Sequence, residues 1–170
     1  MKSPIAIKHY HFTEISVKAR NVEYDDIVVE GPYPSFENVN INTVVTLAEA
    51  QEGDSFLLTM EVGCAPEDAS TFPYAFRFIV EGIFESDFSD VEEEKQKLIV
   101  CNGASMLYGC VREQLISLTS RQKYGPLLLP ATSFQGLRKS DKAKPPAKKS
   151  RSKVKKSHVS GFFYLLSTRE

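Results

Sequence analysis

The sequence predicts an α+β domain: a four-stranded antiparallel sheet packed on one long C-terminal helix, followed by a disordered basic tail. Three observations predict it. Four apolar stretches with a period of two come first, and one stretch with a helical period follows, without alternation between the types. Composition then changes abruptly after Leu137, where a Lys/Arg-rich, low-complexity run begins. The expected division is a domain over residues 1–137 and a tail over 138–170.

The first strand is expected over about Ile5–Ala19, where Ile15 and Val17 alternate with Glu14, Ser16 and Lys18. Gly31-Pro32 and Pro34 mark the next stretch as a loop or irregular crossing. A second strand is expected over about Val39–Ala48 and a third over about Ser55–Val62, with Phe56, Leu58, Met60 and Val62 on one face. Glu52-Gly53-Asp54 reads as the tight turn joining them. The fourth strand, about Pro73–Glu85, is apolar on both sides, with Phe76, Phe78, Val80 and Phe84 on one face and Ile79 and Ile83 on the other. A strand apolar on both faces is expected to be buried twice.

The helix opens in an acidic run. Ser89 followed by Glu92 is a capping-box pattern, and Asn102-Gly103-Ala104-Ser105 reads as a bend within the helix. Leu107, Val111, Leu115 and Leu118 then form the apolar stripe, with Tyr108, Arg112 and Thr119 off it. Arg121 and Lys123 are placed in the last turn, where cations suit the helix dipole, and Gly125-Pro126 supplies the stop. Residues 127–134, LLLPATSF, then read as an apolar, proline-bounded loop lying over the sheet.

Charge divides the chain. Residues 1–137 carry 10 Lys/Arg against 20 Asp/Glu, and residues 138–156 carry 10 Lys/Arg against one acid, so the formal net charge of −1 hides an acidic body and a basic tail. The tail suits several roles: sequence-independent phosphate contacts with nucleic acid, an anionic lipid surface, its own acidic domain, or simple solubilisation. Residues 161–170, locally apolar, are read as a short helix or strand without an assigned place. The start MKSPIAIKHYHF has no apolar core of a signal peptide, and no run is long enough to span a bilayer, so a cytosolic protein is expected.

Few residues invite catalysis. Cys64, Cys101 and Cys110 lack paired spacing and read as reduced, buried thiols. His9 and His11 share a strand face but lack the third ligand a metal site needs. No phosphate loop or nucleophile elbow is present. No enzyme, cofactor or metal is expected.

The stretch from Leu107 to Phe134 follows the pattern LYGxxREQL…TSRxxYGPLLLPxxSF, the opening strand contains FTEISVKA, and residues 81–85 are EGIFE. Over about Ile7–Leu137 these features resemble SecB, the bacterial protein-export chaperone family. The resemblance implies an ATP-independent holdase that binds unfolded preproteins, assembles as a homotetramer (a dimer of dimers) and delivers clients to the export ATPase SecA. It also includes relatives dedicated to a single client such as an antitoxin. The candidate client groove comprises Phe76, Phe78, Met106, Leu107, Leu127, Leu128, Leu129 and Phe134; Phe76 and Phe78 read first as core or subunit interface, and the loop leucines as groove or core alike. Glu14, Lys18 and Arg77 align with the acidic surface on which the family docks SecA. Two of the three have reversed sign, which argues against tight docking here.

Overall fold

The computed structural model describes residues 5–49, 55–86, 91–139 and 161–168. The strands are β1 (Ile5–Ala19), β2 (Val29–Glu30), β3 (Tyr33–Pro34), β4 (Ile41–Glu49), β5 (Ser55–Cys64), β6 (Tyr74–Ser86) and β7 (Gly161–Thr168), and one helix, α1, spans Glu92–Thr119. The main sheet has the order β1-β6-β5-β4-β7, and every pairing in it is antiparallel. β2 and β3 form a separate hairpin, turned by Gly31 at φ +60°.

The four expected strands lie where their alternation placed them, with α1 packed across one face of β1, β4, β5 and β6. β5 shows why: every second side chain from Phe56 to Cys64 is buried beneath the helix, and those between are half-buried on the outer face. β7 is the addition. It pairs with β4 from Ile41↔Thr168 to Ala48↔Gly161, so the sheet has five strands and the tail is not structureless throughout. The expected turn at 52–54 and the basic run over 140–160 lie outside the described residues.

α1 corrects several expectations. It is continuous through Asn102-Gly103-Ala104-Ser105, with no bend. Those small residues instead let the helix approach the sheet. A Cβ at Gly103 would stand 3.0 Å from Leu58 and 3.2 Å from the Phe84 ring, and one at Gly82 of β6 would stand 2.7 Å from that ring. Phe84 thus fills the space that two missing side chains leave. The helix N-cap is Val91, without a side-chain cap, and Ser89 lies outside the described residues. At the other end α1 stops at Thr119, ahead of Arg121 and Lys123. Tyr124 draws the chain away: its ring packs against Tyr24 and Tyr74, and its hydroxyl accepts from the Val22 N–H at 3.0 Å. Gly125 does take the left-handed conformation, at φ +76°, in the turn that follows.

The buried arc of α1 is also wider than the apolar stripe. Tyr108 and Thr119 are buried, whereas Leu118 is 37% exposed. β6 departs in the opposite sense. Its outer face carries Arg77 and Glu81 alternating with half-buried Ile79 and exposed Ile83, and no described element covers that side.

Candidate functional site

The segment after the helix is held down at Gly125, Leu127, Leu129 and Pro130. Tyr74 donates its hydroxyl proton to the Gly125 carbonyl at 2.6 Å, and the Leu127 N–H donates to Thr119 Oγ1 at 2.8 Å. Arg112 Nε donates to the Leu129 carbonyl at 2.9 Å, and the Tyr108 hydroxyl donates to the Pro130 carbonyl at 3.1 Å. An extended chain alternates its side chains. Leu127 and Leu129 therefore point into the core, fully buried, while Leu128 is half-buried and Pro130 exposed. Four side chains from the sheet and the helix thus make a rigid wall out of a loop.

A second wall faces it. The crossing between β1 and β4, residues 28–38, folds on itself through the β2–β3 hairpin and a bond from the Ser35 N–H to the Val28 carbonyl at 2.8 Å. Phe36 anchors it, its ring 4.9 Å from that of Phe72 and 6.4 Å from that of Phe76. Asn38, at φ +63°, turns the chain into β4. Between the walls lies an open cleft of about 830 Å³. Val28, Val29, Tyr33, Pro34 and Phe36 line one side, and Leu128, Leu129, Pro130 and Ala131 the other, with Arg112 between them and Glu30 and Glu37 on the crossing. Val28 and Val29 are 49% and 63% exposed, an uncommon state for two adjacent valines unless something covers them. A smaller cavity of about 470 Å³ lies on the other side of the crossing, against the more polar connector 65–73.

The eight expected groove residues are divided by this geometry. Leu128 lines the cleft, and Leu129 borders it while its side chain is buried in the core. Phe76, Phe78, Leu107, Leu127 and Phe134 are buried in the core, Phe76 behind Phe36 and Phe134 against the Tyr108 ring. Met106 is 42% exposed on α1, outside the cleft lining. The crossing supplies most of the second wall. Its signal was present in the apolar Val28-Val29 pair ahead of Gly31-Pro32 and Pro34.

Glu14, Lys18 and Arg77 do share the outer face of the sheet. Arg77 donates to Glu14 at 2.7 Å and to Glu61 at 2.8 Å, so its charge is consumed locally, while Lys18 stands exposed opposite Ala75. Hydrogen bonding to Glu61 holds the Arg77 guanidinium above its usual pKa. Lys8 pairs with Glu85 and His11 with Glu81 on the same two strands, and the face is of mixed charge rather than acidic. The His9 and His11 rings stack 5.5 Å apart, and no group of three metal-ligating side chains stands together among the described residues. The Cys64 thiol is pushed up to about 12 by burial, which leaves it a packing group without thiolate character at neutral pH. No described helix is long and apolar enough to cross a membrane.

No protein-family model matches the chain, and no curated protein sequence is similar to it. A solved structure is similar in fold: the Mycobacterium tuberculosis Rv1957 SecB-like chaperone in complex with a ChAD peptide from the Rv1956 HigA1 antitoxin. It superposes with a TM-score of 0.54 at 16% identity, over 76% of this chain and 91% of that one. Four antiparallel strands on one long helix, closed by an anchored apolar segment, give this chain a divergent SecB-like fold.

Proposed function

We propose that the protein is an ATP-independent chaperone that holds a non-native polypeptide segment in the cleft between residues 28–38 and 128–131. The observation that carries this reading is the cleft itself: Val28, Val29 and Phe36 on one wall face Leu128, Pro130 and Ala131 on the other, with Glu30, Glu37 and Arg112 among them, and hydrogen bonds from α1 hold the second wall. Apolar surface on facing walls accommodates many side-chain sequences, and the polar groups beside it can meet the backbone of an extended segment. Of the two client regimes, a dedicated client is favoured over general preprotein export. The similar Mycobacterium protein was solved with an antitoxin peptide, and the outer sheet face here spends its charges on internal pairs, which argues against tight SecA docking.

The test is suppression of aggregation of a chemically unfolded reporter by the full chain, beside the variant Leu128→Asp. The parent chain is expected to suppress aggregation at near-stoichiometric ratio. The variant is expected to bind the reporter at least about ten-fold more weakly, equivalent to about 1.4 kcal/mol, with its melting temperature little changed because Leu128 is only half-buried. Equal suppression by both proteins would remove the cleft from the mechanism, and no suppression by either would remove the chaperone reading.

The same reading includes assembly into a homo-oligomer. Tyr10 and Ile15 on β1 and Met106 and Leu118 on α1 are between 37% and 45% exposed, on the same side of the sheet. That flank suits burial against a second copy. Light scattering is expected to give a multiple of the 19.1 kDa chain mass, and a monomer mass would contradict the assembly.

A further inference from the structure

The two edges of the main sheet are protected in different ways. β1 carries register shifts between Ile7 and His9 and between Phe12 and Glu14, and its exposed residues include Lys8 and Lys18. Bulges and lysines are the usual devices that stop another strand from adding to an edge. β4 has neither. From Ile41 to Ala48 it has no charged residue, five of its eight residues are β-branched, and it pairs with β5 without a shift in register. Such a strand is a ready template for another strand. In this chain that template is occupied: β7, GFFYLLST and equally uncharged, pairs with it residue for residue.

We infer that the β4 edge is a strand-addition site for an extended, uncharged, aromatic-rich polypeptide segment, and that β7 is its built-in occupant, exchangeable with such a segment from outside. β7 is peripheral by construction. β7 sits at the margin of the sheet, where it pairs with β4. Strands at the margin of a sheet are among the elements that open at low free energy. Main-chain pairing then supplies affinity with little demand on side-chain sequence, as in other strand-addition receptors. The site is distinct from the cleft. It rests on the polypeptide-binding reading only for the identity of the displacing segment.

The probe is a fluorescein-labelled peptide of residues 161–168, added to the full chain and to the full-length variant Tyr164→Pro/Leu165→Pro. Successive amides of a strand face opposite sides, so one of two adjacent prolines falls at a donor aimed at β4. The peptide is expected to bind the variant at least ten-fold more tightly than the parent, one per chain. It should also restore slow exchange at those amides among Val44, Val45 and Thr46 that face β7, the alternate ones being held by β5. In the parent, those amides are expected to exchange faster than their counterparts in β6, because β7 opens alone. Equal affinity for parent and variant, peptide protection at residues 127–130 instead of β4, or equally slow exchange of β4 and β6 in the parent would each overturn the inference. Peptide protection of β4 would stand even if Leu128→Asp had no effect on a client, so the two readings fail separately.

Discussion

Replacing Gly103 by valine is expected to lower stability by about 3 kcal/mol, the upper range for overpacking a filled core. For a chain of this size that is a fall of roughly 6–12 °C in melting temperature. The cause is the 3.0 Å and 3.2 Å approach of Leu58 and Phe84 to the position of the new Cβ, before either methyl group is added. The Leu58 side chain and the Phe84 ring are both fully buried and cannot swing into solvent. An internal control lies six residues along the same helix. Gly109 is exposed with open space around it, so Gly109→Ala is expected to stabilise by about 0.5–1 kcal/mol through helix propensity alone. Thermal melts of both variants read the difference. A Gly103→Val protein as stable as the parent would mean that α1 does not lie this close to the sheet.

Replacing Thr119 by valine is expected to cost about 2 kcal/mol, although the two side chains have nearly the same shape. The threonine hydroxyl donates to the Leu115 carbonyl at 2.7 Å and accepts from the Leu127 N–H at 2.8 Å, in a fully buried position. Valine leaves that N–H without a partner, and an orphaned buried donor costs about 1–3 kcal/mol. Thr119→Ser keeps the hydroxyl and is expected to recover most of the loss. Amide exchange at Leu127 should accelerate in the valine variant and stay slow in the serine variant. Unchanged exchange at Leu127 in the valine variant would show that Thr119 does not anchor the wall of the cleft.

These two positions also show where sequence reasoning stops. The period-two alternation of β5 and of the even-numbered β6 residues reaches the structure unaltered, because a strand with one buried face has a single workable register. Gly103 reads as a bend by local propensity, but it is set by the far side of the contact, the Phe84 ring, which no window around residue 103 contains. Thr119 and Tyr108 lie off the helix's apolar stripe, yet they are buried with their polar atoms bonded to the backbone of Leu127 and Pro130. Half of the cleft was legible as the LLLP segment. The other half was not, because Val28, Val29 and Phe36 lie in or beside two-residue strands, too short to show a period. β7 was visible as an apolar run, but its partner lies about 120 residues earlier in the chain.

The pairing of β1 with β6 sets an order of events at the ribosome. β4, β5 and β6 follow one another as a meander and can close as soon as they emerge. Ile5 must wait for Ser86, 81 residues later. At about 5–20 residues per second, that wait is roughly 4–16 s for each newly made chain. For that interval the first strand, with Ile7, Phe12, Ile15 and Val17 on one face, is itself an unfolded apolar segment with its partner strand still unmade.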